Sequence, residues 1–160
     1  MKKTILFGAL AVMAGSLAVT TASAQIQWTP EQKAVWATEN EIFTAFANND
    51  MQSGYSHYDE SYYDWQTDTP IPFNKQNVVK GSNYGTSLGG KTDFWVAQPL
   101  VIWVKGDLAY ADYYYGYVSE DKAGKKTTHR ERWMDVLMKE NGQWMIVGDR
   151  GGAVPTPPSK

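Results

Sequence analysis

Between Val35 and Phe46 the apolar positions Val35, Trp36, Ile42, Phe43 and Phe46 recur at helical spacing, with Glu39 on the same stripe. Thr29-Pro30-Glu31 precedes them as N-cap, first-turn proline and early acid, which predicts a long helix from there through Asn49. Asn48-Asn49-Asp50 ends it, and Met51 to Tyr58 reads as a shorter helix. Glu60 to Gln66 reads as a first strand, broken by Thr69-Pro70-Ile71-Pro72. Asn74 to Lys80 then predicts a short helix stopped by Gly81, and Ser82 to Gly90 a polar, glycine-rich loop that would serve as a lid.

From Thr92 onward the pattern changes to strands: Thr92 to Lys105, Leu108 to Ser119, Lys126 to Lys139 and Trp144 to Arg150. Pro99 implies a bulge or an edge in the first of these. The last two flank Asn141-Gly142, a dipeptide suited to the two left-handed positions of a type I′ turn. Alternation puts His129, Glu131, Trp133, Asp135 and Leu137 on one face. If Glu140 pairs with Gln143, Asp135 falls opposite Gly148 and Trp133 opposite Arg150. Such a mixture of charges and rings is unusual for a face that only packs, and it points to a pocket.

The start of the chain changes the picture of where this domain works. Met1-Lys2-Lys3, an apolar run from Ile5 to Val19 and Ala22-Ser23-Ala24 make a signal peptide with cleavage before Gln25. The run is too short for a spanning helix, so the expectation is a periplasmic or secreted protein with no membrane contact after cleavage. Removing residues 1–24 takes away Lys2 and Lys3 and no acid, moving the formal charge from −2 to −4. A nucleic-acid partner would want a basic surface instead. The chain has no cysteine, which excludes disulfides and thiolate ligands. No metal-ligand spacing and no cofactor motif is present. The expected organisation is one α+β domain over residues 25–152 and a flexible tail over 153–160, where three prolines fall in eight residues.

The long first helix, the short strand and the closing strand–Asn-Gly-x-Trp–strand resemble the nuclear-transport-factor-2-like superfamily, in particular its SnoaL-like and kinase-association-domain-like branches. The resemblance is carried by Glu39 to Asp50, Trp133 to Val136, Gly142 to Val147 and Arg150-Gly151. It implies a cone-shaped, curved antiparallel sheet wrapped around the helices, with an open ligand-sized pocket. Its members include steroid isomerases, polyketide cyclases and dehydratases beside non-catalytic binding and dimerising domains, so the fold alone assigns no reaction. Asp135 matches the isomerases' protonated acid. Gln66 stands where their general base lies, with Asp64 and Asp68 near, and Ile42 and Phe43 occupy the region of their phenol. Arg150 suits the carboxylate-holding arginine of the other branch, although Asp135 replaces a second one.

Asp135 and Arg150, diagonal across the hairpin, are the candidate polar anchor, or else an internal ion pair that positions the strands. His129 beside Glu131 is a candidate general base. With the preceding loop centred near Lys122-Ala123, Asp112 and Tyr114 lie beside Trp133 and Glu131 and join the pocket. Tyr113, Tyr115 and Tyr117 then face outward with Arg130 and Arg132, an outer face suited to a homodimer through the convex side of the sheet. Trp36, Phe43 and Trp65 are expected to line the other wall. Three functions compete. The favoured one is an exported domain that binds an apolar small molecule by its polar group. The others are a SnoaL-like acid–base enzyme using Asp135 and His129, and a non-catalytic interaction module.

Overall fold

The computed structural model describes residues 27–155. The signal-peptide segment 1–24 and residues 156–160 of the expected tail lie outside them. Helix α1 (Pro30–Ala47) starts at the anticipated cap. Thr29 Oγ1 accepts from the Gln32 N–H at 3.2 Å while Gln32 Oε1 accepts from the Thr29 N–H at 2.9 Å, so two end groups of the helix are satisfied reciprocally. Its apolar stripe is buried at Val35, Ile42 and Phe43, and Glu39 is buried with them. Asn48 caps the end, and Asn49 takes the left-handed φ of 59° that a short polar side chain tolerates. Helix α2 (Met51–Tyr55) is shorter than expected, because Tyr58 already opens strand β1 (Tyr58–Asp64).

After the two-residue β2 (Phe73–Asn74) comes the main departure in local structure. Helix α3 (Lys75–Ser87) runs straight through Gly81 and Gly85, where a stop and a loop were expected. Each interior glycine costs about 1 kcal/mol in a helix. The helix persists because Asn74 caps it through the Asn77 N–H, because Val78 and Val79 pack on the core, and because Ser82 Oγ meets Tyr55 Oη at 2.6 Å. The positive φ of the stop falls at Gly89 instead.

Strands β3 (Lys91–Lys105), β4 (Leu108–Glu120), β5 (Lys126–Glu140) and β6 (Gln143–Ala153) build one sheet in the order β2-β1-β6-β5-β4-β3. All neighbours are antiparallel except β1 and β6, which run parallel. β3 is an edge, and the pairing slips between Pro99 and Val101, as the proline implied. The sheet curls around α1, which is tied to β3 where Gln32 Nε2 donates to the Ile102 carbonyl at 2.6 Å. Leu137 and Ile146, opposite each other and fully buried, fill the core near the Asn141-Gly142 turn.

Two registers differ from expectation by one residue, and each difference turns side chains over. Glu140 does pair with Gln143, but an extra residue, Val147, is inserted between the pairs Leu137–Ile146 and Val136–Gly148. Past this bulge Asp135 faces Asp149 and Trp133 faces Gly151, while Arg150 lies opposite Met134 on the outer side. Between β4 and β5 the turn closes with Glu120 opposite Lys126. Asp121 Oδ1 accepts from the N–H groups of Ala123 and Lys125, and Gly124 supplies the left-handed φ of 79°. Tyr113, Tyr115 and Tyr117 therefore stand beside Trp133, Glu131 and His129 on the inner face, and Asp112 and Tyr114 point outward.

Candidate functional site

The concave side of the sheet, α1, α2 and α3 enclose a cavity of about 560 Å³. One wall is apolar, with Ile42 and Phe43 of α1, Phe46 and, from α3, Val78. Phe43 stacks on Tyr115 at 4.9 Å and meets Tyr113 edge-on at 5.2 Å. Six of the lining side chains are tyrosines: Tyr55, Tyr58, Tyr62, Tyr113, Tyr115 and Tyr117. The register difference between β4 and β5 puts the last three there. A period-2 strand, slipped by one, exchanges an outer face of phenols for an inner one.

The deep end of the site is acidic. Asp64 from β1 and Asp149 from β6 line the cavity, and Asp135 and Glu39 lie behind them in the core. Tyr62 Oη donates to Asp149 Oδ2 at 2.6 Å, Gln66 Nε2 to Asp64 Oδ2 at 2.7 Å and Tyr113 Oη to Asp135 Oδ2 at 2.9 Å. As carboxylates, the remaining oxygens have no donor: Oδ1 of Asp64, Asp135 and Asp149 and both oxygens of Glu39. The acids meet in pairs, Glu39 with Asp135 and Asp64 with Asp149, and each contact becomes a hydrogen bond when one member is protonated. Burial is the main cause that pushes their pKa values up. Glu39 rises to about 8 and, with the charge of Asp135 adding to burial, Asp149 rises to about 9. Asp135 is raised well above the usual range by burial and by Glu39, and Asp64 is raised by burial. At neutral pH Glu39 and Asp149 therefore keep their protons. Among the described residues no group of three or more His, Asp or Glu is arranged to hold a metal ion.

The opposite end is built on the anticipated face of β5. Trp133 and Glu131 both line the cavity, with Trp133 Nε1 donating to Glu131 Oε2 at 2.7 Å and Tyr117 Oη to Oε1 at 3.2 Å. Gly151 makes room for the indole, since a Cβ there would collide with Trp133 and the Arg132 carbonyl. His129 is not part of the lining. It stacks flat on Tyr117 at 4.3 Å and shares a hydrogen bond with Ser119 at 2.9 Å.

The remaining expected positions sort as follows. Phe43 lines the wall, while Trp36 stands behind it, edge-on to Phe43 and Tyr113. Trp65 is 50% exposed outside the cavity, and Arg150 sits over its ring at 5.5 Å. Arg150 therefore does not reach Asp135, and neither an Asp135–Arg150 anchor nor an internal pair forms. Asp112 and Tyr114 lie on the convex face opposite Met134 and Arg132, outside the pocket. The residues that sequence reasoning missed are Asp149, Tyr62, the pairing role of Glu39, and the inward tyrosines of β4. Gly148 inside a strand was the available sign of the bulge. Asp121 with Gly124 was the sign of the longer turn.

No protein-family model matches the chain, and no curated protein matches its sequence. Solved structures do match its shape. A ketosteroid isomerase-like protein from Erwinia carotovora atroseptica superposes with a TM-score of 0.68 at 15% identity, over 81% of this chain and 100% of that one. A nuclear-transport-factor-2-like protein from Cytophaga hutchinsonii gives 0.67 at 14% identity, over 79% and 100%. A protein of the calcium/calmodulin-dependent kinase II association-domain kind from Xanthomonas campestris gives 0.60 at 18% identity, over 76% and 86%. The chain has the α+β cone fold of nuclear-transport-factor-2-like proteins. At such identities the likeness concerns the fold and leaves the chemistry to the site.

Proposed function

We propose that this is an exported small-molecule-binding domain whose cone holds an apolar body and anchors its polar end on Asp149, Asp64 and Tyr62. The observation that carries the reading is the cavity itself, of about 560 Å³, with an apolar wall and a few converging polar groups. Those are the size and character of a ligand site. The anchor differs from the Asp135–Arg150 pair expected from sequence, since Arg150 lies outside. Export rests on the first 24 residues. An intact-mass measurement on the protein recovered from its own cells should give a chain beginning at Gln25, and a chain retaining Met1 would overturn it. Native mass spectrometry of the same material should show a bound small molecule that Thr86→Trp, placed to fill the cavity, removes. Retention unchanged by Thr86→Trp would move the ligand elsewhere.

An acid–base enzyme is the second reading, favoured by one observation: Asp149, with a pKa of about 9, presents a neutral carboxyl to the cavity. Such a group can donate a hydrogen bond to a developing oxyanion. Asp135 is too deep for the acid's role and His129 is already held by Ser119. Turnover with a pH–rate profile lost in Asp149→Asn would establish this reading, and an inert pocket would remove it.

A homodimer through the convex face is proposed on new grounds, because the tyrosines first assigned to that face line the cavity. Val96, Val101, Trp103, Met134 and Met138 are exposed there, a larger apolar patch than bare solvent favours. Asp112 and Arg132 lie on the neighbouring strands β4 and β5 of the same patch, so a two-fold axis can set unlike charges opposite each other. Sedimentation should give a dimer that Trp103→Asp splits, and a monomeric parent protein would sink the idea.

A further inference from the structure

The walls of the cavity are not built alike. Of the elements that line it, α3 is the one with no buried residue, whereas α1 buries Val35, Thr38, Glu39, Ile42 and Phe43. The first half of α3 is nevertheless fastened. Asn74 caps it through the Asn77 N–H, and Lys75 Nζ donates to the Tyr58 carbonyl at 2.7 Å and to Glu60 Oε1 at 2.6 Å. Val78 and Val79 then pack on the core. Past Gly81 the ties thin out. Ser82 keeps its hydrogen bond to Tyr55, and the stem of the exposed Lys122 rests beside Gly89. Tyr84 and Leu88, the large apolar side chains of that stretch, stand 66% and 53% exposed.

The glycines weaken the same stretch. Neither Gly81 nor Gly85 has a positive φ, and a Cβ at either position would meet no atom within 4 Å. Neither packing nor backbone geometry therefore requires a glycine there. What each does is lower the weight of the helical form, by about fivefold against alanine. Gly89, at a left-handed φ of 79°, and Gly90 close the stretch and give it a second point at which the backbone can turn. Three of the four α3 residues in the lining, Ser82, Gly85 and Thr86, lie on this weakened half. Other ways into the cavity are costlier. Displacing α1 would expose its buried stripe, and parting the sheet would break a strand ladder.

We propose that residues 81–90 are a gate. The second half of α3 unwinds locally while Lys75, Val78 and Val79 hold its start, and a ligand enters and leaves through the gap. This rests on the reading of the cone as a ligand site and adds how that site is reached.

The test is hydrogen exchange of the purified protein, read amide by amide, with two variants. Leu137→Ala, in the core, should speed the Ile42 and Phe43 amides of α1 by at least about tenfold and leave residues 82–88 unchanged, because local opening does not disturb Leu137. Gly81→Ala, a position outside the lining, should slow the amides of residues 82–88 by about fivefold. N-phenyl-1-naphthylamine, a neutral apolar fluorophore, should bind and be excluded by Thr86→Trp. In stopped flow it should leave the Gly81→Ala protein at least about threefold more slowly than the parent, at an affinity within about twofold, since entry slows with exit. If the amides of residues 82–88 follow Leu137→Ala, α3 opens only with the whole domain and the gate is overturned. It is overturned too if they exchange locally but the fluorophore leaves both proteins at one rate. In either case, binding blocked by Thr86→Trp leaves the ligand site standing. If the fluorophore does not bind, the ligand-site reading falls and the gate falls with it.

Discussion

The two faces of the β4–β5–β6 sheet are one strand thick apart and chemically opposite. The inner face carries Asp135, Asp149 and Glu131 with a row of tyrosines. The outer face carries Arg130, Arg132 and Arg150 among exposed apolar side chains. Neighbours in sequence, Asp149 and Arg150, are sent to different worlds. Inside, burial holds the proton on Asp149 and pushes the Asp135 carboxyl the same way. Outside, solvent screens the guanidiniums, and their charges carry little energy. The difference teaches that this sheet separates charge by side as well as by polarity, and that the inner side is the one whose titration matters.

Five substitutions would break or sharpen that contrast. The largest effect belongs to the apolar core: Leu137→Ala should cost about 2–5 kcal/mol, while its exposed neighbour Met138→Ala should stay within about 0.5 kcal/mol, both read by urea unfolding. Equal losses would mean that the outer face is covered. Next is the acid end. A carboxyl whose folded pKa is raised keeps a proton that the unfolded chain gives up from pH 3.8, so stability falls as pH rises from about 4 to about 9 and levels off beyond. Asp149→Asn should stabilise the protein by on the order of 2 kcal/mol at pH 8 and hardly at all at pH 4. Part of the slope should survive in that variant, because Glu39 also titrates high, at about 8. The same gain at both pH values would show that Asp149 is not neutral in the fold.

A smaller loss is expected at Tyr62. Tyr62→Phe removes the hydroxyl that donates to Asp149 Oδ2 and should cost about 1–2 kcal/mol, with the Asp149 titration, followed by carboxyl NMR, moving to higher pH. The smallest belongs outside: Arg150→Met loses only a stacking contact with the half-exposed Trp65, and its melting curve should shift by no more than about 0.5 kcal/mol. A large loss there would restore a structural role to Arg150 that its position denies.

Much of the architecture was legible in the chain. Thr29-Pro30 announced α1, Asn141-Gly142 announced the β5–β6 turn, and Pro99 announced a slipped edge strand, because each is a local backbone requirement that only a few residue types meet. The face of β5 was legible for the same reason: period-2 alternation needs no partner to be read. Glu131, Trp133 and Asp135 accordingly point inward as expected.

What opposes that face could not be read locally. A turn closing at Glu120–Lys126 rather than one residue away, and a bulge at Val147, depend on how two strands twist against each other around α1. Each decided a whole face: the first brought Tyr113, Tyr115 and Tyr117 inside, and the second exchanged Arg150 for Asp149. Helix α3 likewise survives two glycines through packing that lies far away in sequence. The chain by itself determined which elements form and which side chains share a strand face, since those follow from local sterics and hydrophobic period. Only the tertiary structure decided which acids meet, because a pair such as Glu39 and Asp135 exists only where burial excludes the water that would otherwise hold them apart.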